Sequence, residues 1–187
     1  MTNIWTLVDD GWFYWQMWYG ALLSGVGHLF SGRFAHAYIA GGRPVARLRP
    51  EGSHRLLDPS YGSGHIAVEL HGVEPTRLEK TALVADWPAA LHGIRVCQKG
   101  QNWPGNCGTC ERCIRTMLEL VAVGKLWECG AFPAHDVSVE LVRSVAEYEM
   151  LCPDQLFWYR ELVPALGASG RDDLAAAVEG VVGHFEG

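Results

Sequence analysis

The chain has 187 residues, 49% of them apolar, and a formal net charge of −6. That length buries one core without covalent staples, and that apolar share excludes a disordered chain. The acidic balance, with no basic stripe interleaved with aromatics, excludes a nucleic-acid backbone as the main partner.

Residues 1–10 carry Asp9 and Asp10 and no basic residue, which is not the pattern of a secretory signal. Residues 11–30 are long enough to cross a bilayer, with only Gln16, Ser24 and His28 as polar members. Gly11, Gly20, Gly25 and Gly27 stand against a span, and neither end has a basic cluster. The expectation is therefore a buried helix over 12–30, not a membrane segment, although the length leaves the span as an alternative. Trp12, Trp15 and Trp18 crowd into this stretch.

A short strand over 37–40 follows, and Gly41-Gly42 then opens a loop that runs to about Gly64. Loops of this length inside a domain are usually functional or disordered. A second strand is expected over 66–70. Pro75 suits the first turn of a helix reaching about Asp86. Ile94-Arg95-Val96-Cys97 reads as a third short strand. Ile114, Met117, Leu118 and Val121 fall at helical spacing, and Gly124 is placed to end that helix. The remainder reads as three helices, with Leu141, Val145 and Tyr148 on one face and Leu156, Tyr159, Val163 and Leu166 on the next. Leu174, Ala177, Val178, Val181, Val182 and Phe185 mark the last. No internal repeat or low-complexity run interrupts them.

Six cysteines in a chain neither small nor evidently secreted point to a reduced, cytoplasmic setting, not to a disulfide framework. Cys107, Cys110 and Cys113 form two Cys-x-x-Cys steps in tandem, which bring three soft ligands around one tight turn. Cys97, nine residues earlier, closes a tetrahedron from the far side of the loop. The expectation is one closed, structural Zn²⁺ site. Its four thiolates leave a net charge of about −2 for the surroundings to offset. Arg95, Lys99, Arg112 and Arg115 lie within a few residues of a ligand, and the 111–124 helix presents its N-terminal amides. An iron–sulfur cluster is the weaker rival, because the bacterial run adds a fourth Cys soon after, followed by Pro, and Cys129 is too distant. Metal-free thiols are the other rival. Cys129 and Cys152 read as ordinary core or surface thiols.

Three segments occur in order: Gly52-Ser53-His54-Arg55-Leu56-Leu57-Asp58-Pro59, Thr76-Arg77-Leu78-Glu79-Lys80-Thr81, and Asn106-Cys107-Gly108-Thr109-Cys110-Glu111-Arg112-Cys113-Ile114-Arg115-Thr116-Met117. Together they resemble the second half of the 7-cyano-7-deazaguanine synthase-like branch of the PP-loop ATP pyrophosphatases, over about residues 2–130. The resemblance implies an α/β fold: an incomplete parallel-sheet, Rossmann-like half-domain over 1–130 with a zinc-knuckle loop at 97–113. A helical extension over 131–187 follows it. The family activates a carboxylate with ATP and lets ammonia displace the adenylate, zinc being structural. Thr76-Arg77-Leu78-Glu79 then matches a Thr-Lys-x-Glu segment near the triphosphate, with Arg77 on a phosphate and Glu79 and Lys80 beside it. Ser53, His54 and Asp58 fall in the family's substrate loop. Taken alone, Arg77, Glu79 and Lys80 read rather as a solvated helix face, and His54 and Asp58 as turn caps.

The sequence departs from the family in one large respect. It holds no Ser-Gly-Gly-x-Asp-Ser loop to cradle pyrophosphate. The resemblance therefore implies a zinc-binding half of a split carbon–nitrogen ligase-like enzyme, inactive alone. ATP and Mg²⁺ would bind only when a second polypeptide supplies the PP-loop, and the substrate would be a small carboxylate. A homo-oligomer is the other partner expectation. The alternative function is a non-catalytic zinc-stabilised binding module, or a remnant without activity.

Overall fold

The computed structural model describes residues 15–97, 105–147 and 155–186. They fall into two units, Met1–Thr76 and Arg77–Gly187. The expected division at residue 130 is not where the units meet, since helices from both sides of that position share the core of the second.

In the first unit, helix α1 spans Trp15–Leu29. Residues 12–14 of the expected helix lie outside the described residues. Helix α1 is apolar on every side, yet it buries only Gly20 and Ser24. The reason is a backbone-to-backbone approach. Gly52 N–H donates to the Gln16 carbonyl at 2.6 Å, and a Cβ on Gly20 would stand 1.8 Å from the Gly52 carbonyl oxygen. Only a face of small residues fits there. The bulky residues are left outward: Met17, Trp18, Leu23, Val26 and Leu29 are exposed, and Phe30 just beyond.

Strands β1 (His36–Ala40) and β2 (Ala67–His71) pair in parallel, with His36 opposite Ala67 and Ala40 opposite His71. A parallel pair needs a long crossover. Here it is the glycine-rich 41–66 segment, which carries two 3-10 turns, Val45–Arg47 and Asp58–Tyr61. Gly41 N–H extends the pairing to the His71 carbonyl, and Val45 N–H reaches the Val73 carbonyl. The loop is pinned to α1 at its far end by His28 Nε2, 2.8 Å from the Tyr61 carbonyl oxygen.

The second unit is helical. Helix α2 spans Arg77–Ala85 and starts two residues after Pro75; α3 spans Pro88–Gly93, with Pro88 at its first turn. Helix α4 (Glu111–Ala122) follows, and Gly124 ends it at φ +70°. Lys125 N–H returns to the Leu120 carbonyl and Gly124 N–H to Val121, the paired bonds of a left-handed helix cap. Helices α5 (Val139–Arg143), α6 (Leu156–Ala168) and α7 (Asp172–Glu186) complete the unit. Ile114, Met117 and Leu118 of α4 meet Leu156, Leu162 and Leu166 of α6 and Leu174 and Val178 of α7 in one core. Leu162, not the expected Val163, is the buried member of the α6 stripe. Tyr148, Cys152 and Pro153 lie outside the described residues.

The third strand expected over 94–97 does not form. This limb is extended, but its Val96 and Cys97 amides go to the side chain of Asn106 and not to a strand. The described chain is thus a mostly helical α/β protein with a two-stranded parallel sheet. Among the described residues no helix is long and apolar enough to cross a membrane.

Candidate metal centre

Cys97 lies in the extended limb that leaves α3. Cys107 follows the buried Asn106, and Gly108 takes φ +73°, a conformation that opens the knuckle. A Cβ on Gly108 would also stand 2.9 Å from Pro133 Cγ. Cys110 is the N-cap of α4, and Cys113 lies in its first turn with no solvent exposure. The four sulfur atoms lie within 4.8 Å of one another. Cys107 Sγ and Cys113 Sγ are 3.9 Å apart, far beyond a disulfide at about 2.0 Å. It is close to the edge of about 3.8 Å that a tetrahedron with Zn–S bonds of ~2.3 Å requires.

Chemistry at Cys107 points the same way. Thr109 N–H, Cys110 N–H and the Thr109 hydroxyl approach its sulfur at 3.4, 3.3 and 3.5 Å. Burial raises this thiol, but the Thr109 hydroxyl and the two amides outweigh it and hold it at about 6. Burial pushes the Cys113 thiol up. Buried thiols gathered so closely cannot all ionise without a cation among them. A tetrahedral ion held by these four sulfurs would have no position left open for catalysis.

Asn106 organises the loop. Its Oδ1 accepts from Val96 N–H at 2.9 Å and from Cys97 N–H at 3.1 Å. Its Nδ2 donates to the Ile94 carbonyl at 2.8 Å and the Ala131 carbonyl at 3.0 Å. Cys129 stands apart from the cluster, buried, with its thiol toward the Leu91 carbonyl at 3.1 Å. Of the expected basic neighbours, Arg95 and Arg112 are exposed and Lys99 lies outside the described residues. Arg115 turns elsewhere: its guanidinium stacks 4.2 Å from the Trp158 ring, with Nη1 3.1 Å from Glu111 Oε1. The Tyr159 hydroxyl donates to that same oxygen at 2.9 Å.

The remaining site residues divide between the units. In the first, Asp58 is fully buried and its carboxylate is engaged at both oxygens. Ser53 Oγ donates to Oδ2 at 2.6 Å, and His54 N–H donates to Oδ1 at 2.9 Å. Leu57 and Asp58 amides both return to the His54 carbonyl. These three residues therefore build the turn between Gly52 and Tyr61. In the second unit, Arg77 Nε donates to Glu119 Oε1 at 2.6 Å, and Nη2 donates to Thr116 Oγ1 at 3.0 Å. Thr81 Oγ1 donates to Glu119 Oε2 at 2.8 Å. Glu79 is exposed on α2 and Lys80 is half-buried.

Sequence reasoning missed Glu119, Glu111 and Asn106, and gave Arg115 another role, beside the thiolates. A signal existed for three of them. Glu111, Arg115 and Glu119 recur every four residues on one helix, so they share a face. For Asn106 the only signal was its place beside the first cysteine of the knuckle. No family model, curated protein or solved structure matches the chain.

Proposed function

We propose that this chain is a zinc-stabilised subunit that completes an ATP-dependent carbon–nitrogen ligase-like enzyme when joined by a polypeptide carrying the PP-loop. Cys97, Cys107, Cys110 and Cys113 hold the ion, which ties the 94–97 limb to the start of α4 and supplies no reaction step. The observation that carries the zinc reading is the convergence of four sulfur atoms within 4.8 Å. The ligase-like part is supported by the three ordered segments that resemble the 7-cyano-7-deazaguanine synthase-like branch. Helix α1 supports a partner, since it turns Met17, Val26 and Leu29 outward with no Asp, Glu, Lys or Arg along its length. The test is metal analysis of the purified chain, followed by ATP calorimetry alone and with a co-expressed PP-loop polypeptide. One zinc per chain, and ATP binding only in the pair, are expected. Iron with sulfide overturns the zinc reading, and tight ATP binding by the chain alone overturns the split enzyme.

A second reading, a non-catalytic zinc-stabilised binding module, is favoured by one specific observation. Asp58 and Arg77, the residues assigned to substrate and phosphate, are already engaged by Ser53 and His54 and by Glu119 and Thr116. In that case the chain still captures a partner, and neither the chain nor the pair turns over ATP.

A further inference from the structure

We infer that Asn106 is the positioning residue of the metal site, fixing Cys97 in reach of the three knuckle cysteines. The inference rests on the zinc reading above. Cys107, Cys110 and Cys113 are held by one another's local chain: a left-handed glycine, a helix N-cap and a first helical turn. Cys97 has no such local geometry. It lies in a limb without helix or strand, and sequence separation alone leaves its sulfur free to wander.

The Asn106 carboxamide supplies the missing constraint. A carboxamide offers two donors and an acceptor oxygen with two lone pairs, and here every one is used. The oxygen takes the amides of Val96 and of Cys97 itself, the ligand residue. The nitrogen gives its hydrogens to the Ile94 and Ala131 carbonyls. The orientation is not interchangeable. Turning the amide over would set two N–H groups against two N–H groups and an oxygen against two carbonyls, so the four partners dictate it. Asn106 is also buried and directly precedes Cys107. One side chain therefore grips the backbone of the first ligand while its own backbone leads into the second.

Two plain alternatives make different statements. If Asn106 only stabilises the fold, its removal lowers melting temperature and weakens metal binding by the same factor whether or not Cys97 is present. If it positions Cys97, its effect on metal binding exists only while the Cys97 thiol exists. The experiment is a double-mutant cycle on the full chain, with Asn106→Ala and Cys97→Ser singly and together. Metal affinity is read by competition against a chromogenic chelator, and ligand number by the absorption of the Co²⁺-loaded protein.

Asn106→Ala is expected to weaken zinc binding by about ten- to a hundredfold, the usual effect of losing an outer partner of a ligand. Its Co²⁺ spectrum should shift from four-thiolate to three-thiolate character. In the Cys97→Ser background the same change should leave affinity within about threefold. Asn106→Ser keeps a small polar side chain but removes both halves of the carboxamide, so it is expected to show the same three-thiolate spectrum. Additive losses in the cycle, or an unchanged spectrum in Asn106→Ala, overturn the inference. A four-thiolate spectrum in Asn106→Ser overturns it likewise, and should neither variant fold, unprotected Val96 and Cys97 amides in hydrogen exchange of the zinc-loaded wild type overturn it. A wild-type chain that takes up neither Zn²⁺ nor Co²⁺ refutes the metal reading itself, a result that none of the variants can imitate.

Discussion

The carboxylate of Glu119 and the guanidinium of Arg77 meet at 2.6 Å, although the Glu119 side chain is 2% exposed and Arg77 keeps 28% of its own in contact with water. The pair links α2 to the middle of α4, and Thr81 and Thr116 take up remaining bonding capacity. A buried acid so enclosed is stable only while its charge is matched. Burial raises the Glu119 carboxyl above the ordinary carboxylate range, while Arg77, Thr81 and Arg115 pull it down.

Arg77→Ala should therefore destabilise the second unit by about 2 kcal/mol, less than the ~3–5 of a fully buried pair because Arg77 is partly hydrated. The pH dependence has a definite sign. With its folded pKa raised, Glu119 contributes stability that is complete below the unfolded carboxylate pKa and is lost as pH rises through the folded value. The Arg77→Ala defect should accordingly be larger at pH 7 than at pH 4. Adding Glu119→Gln should flatten that dependence. Urea unfolding at several pH values checks both statements, and a defect that grows toward acid would refute the assignment.

Cys110→Ser should release the metal and lower the melting temperature by several degrees, because structural zinc binding is coupled to folding. Cys129→Ser is the control, since Cys129 stands outside the sulfur cluster, with its thiol toward the Leu91 carbonyl. It should keep a full complement of zinc. Metal content by elemental analysis separates the two variants. Equal zinc loss in both would mean that the fold, not the ligand set, had been measured.

Gly20 and Gly25 lie on one helix and should respond with opposite signs. A side chain at Gly20 meets the Gly52 carbonyl at 1.8 Å, a backbone atom that cannot step aside. Gly20→Ala should cost roughly 2 kcal/mol or more, the range of overpacking against a fixed neighbour. A Cβ at Gly25 finds nothing within 4 Å, so Gly25→Ala should add about 0.5–1 kcal/mol through helix propensity. Thermal melting of the two variants beside the wild type is sufficient.

Much of this molecule was legible in periodicity. Helix α4 with its glycine stop and α7 follow from apolar spacing, and the strands expected over 37–40 and 66–70 form over 36–40 and 67–71, although each buries a single residue, Ile39 or Val68. The sulfur cluster followed from ligand spacing, since tandem Cys-x-x-Cys steps close on one point almost irrespective of fold. Three features could not be read that way. The 94–97 limb has strand-like residues, but what decides a strand is where its amides go, and Asn106 takes them. Helix α1 has the composition of a core helix, but Gly52 reaches it so closely that only Gly20 and Ser24 fit inward. Asp58 and Arg77 have the chemistry of ligand contacts; the turn-cap alternative covers Asp58 with Ser53 and His54, but no local pattern pairs Arg77 with Glu119, which lies on another helix.

The outward face of α1 is the basis of the last prediction. Val26 and Leu29 point away from Gly20 and Ser24, and Leu29 is 80% exposed. A soluble helix normally turns its polar residues outward, and α1 has no Asp, Glu, Lys or Arg to turn. Apolar surface of this kind is a cost in isolation and a contribution in a complex, at about 25 cal/mol for each Å² removed from water. Val26→Lys and Leu29→Glu should accordingly leave unfolding of the isolated chain within about 0.5 kcal/mol of wild type, as surface changes do. The same pair should weaken capture of a co-expressed PP-loop polypeptide by at least tenfold, because two charges would be stranded in an apolar interface. Light scattering on the wild-type chain alone distinguishes the other occupant. A dimer that the two substitutions dissolve would mean that a second copy covers this face, and the PP-loop polypeptide would then have to bind elsewhere. Undiminished capture by the doubly substituted chain would remove α1 from the interface altogether.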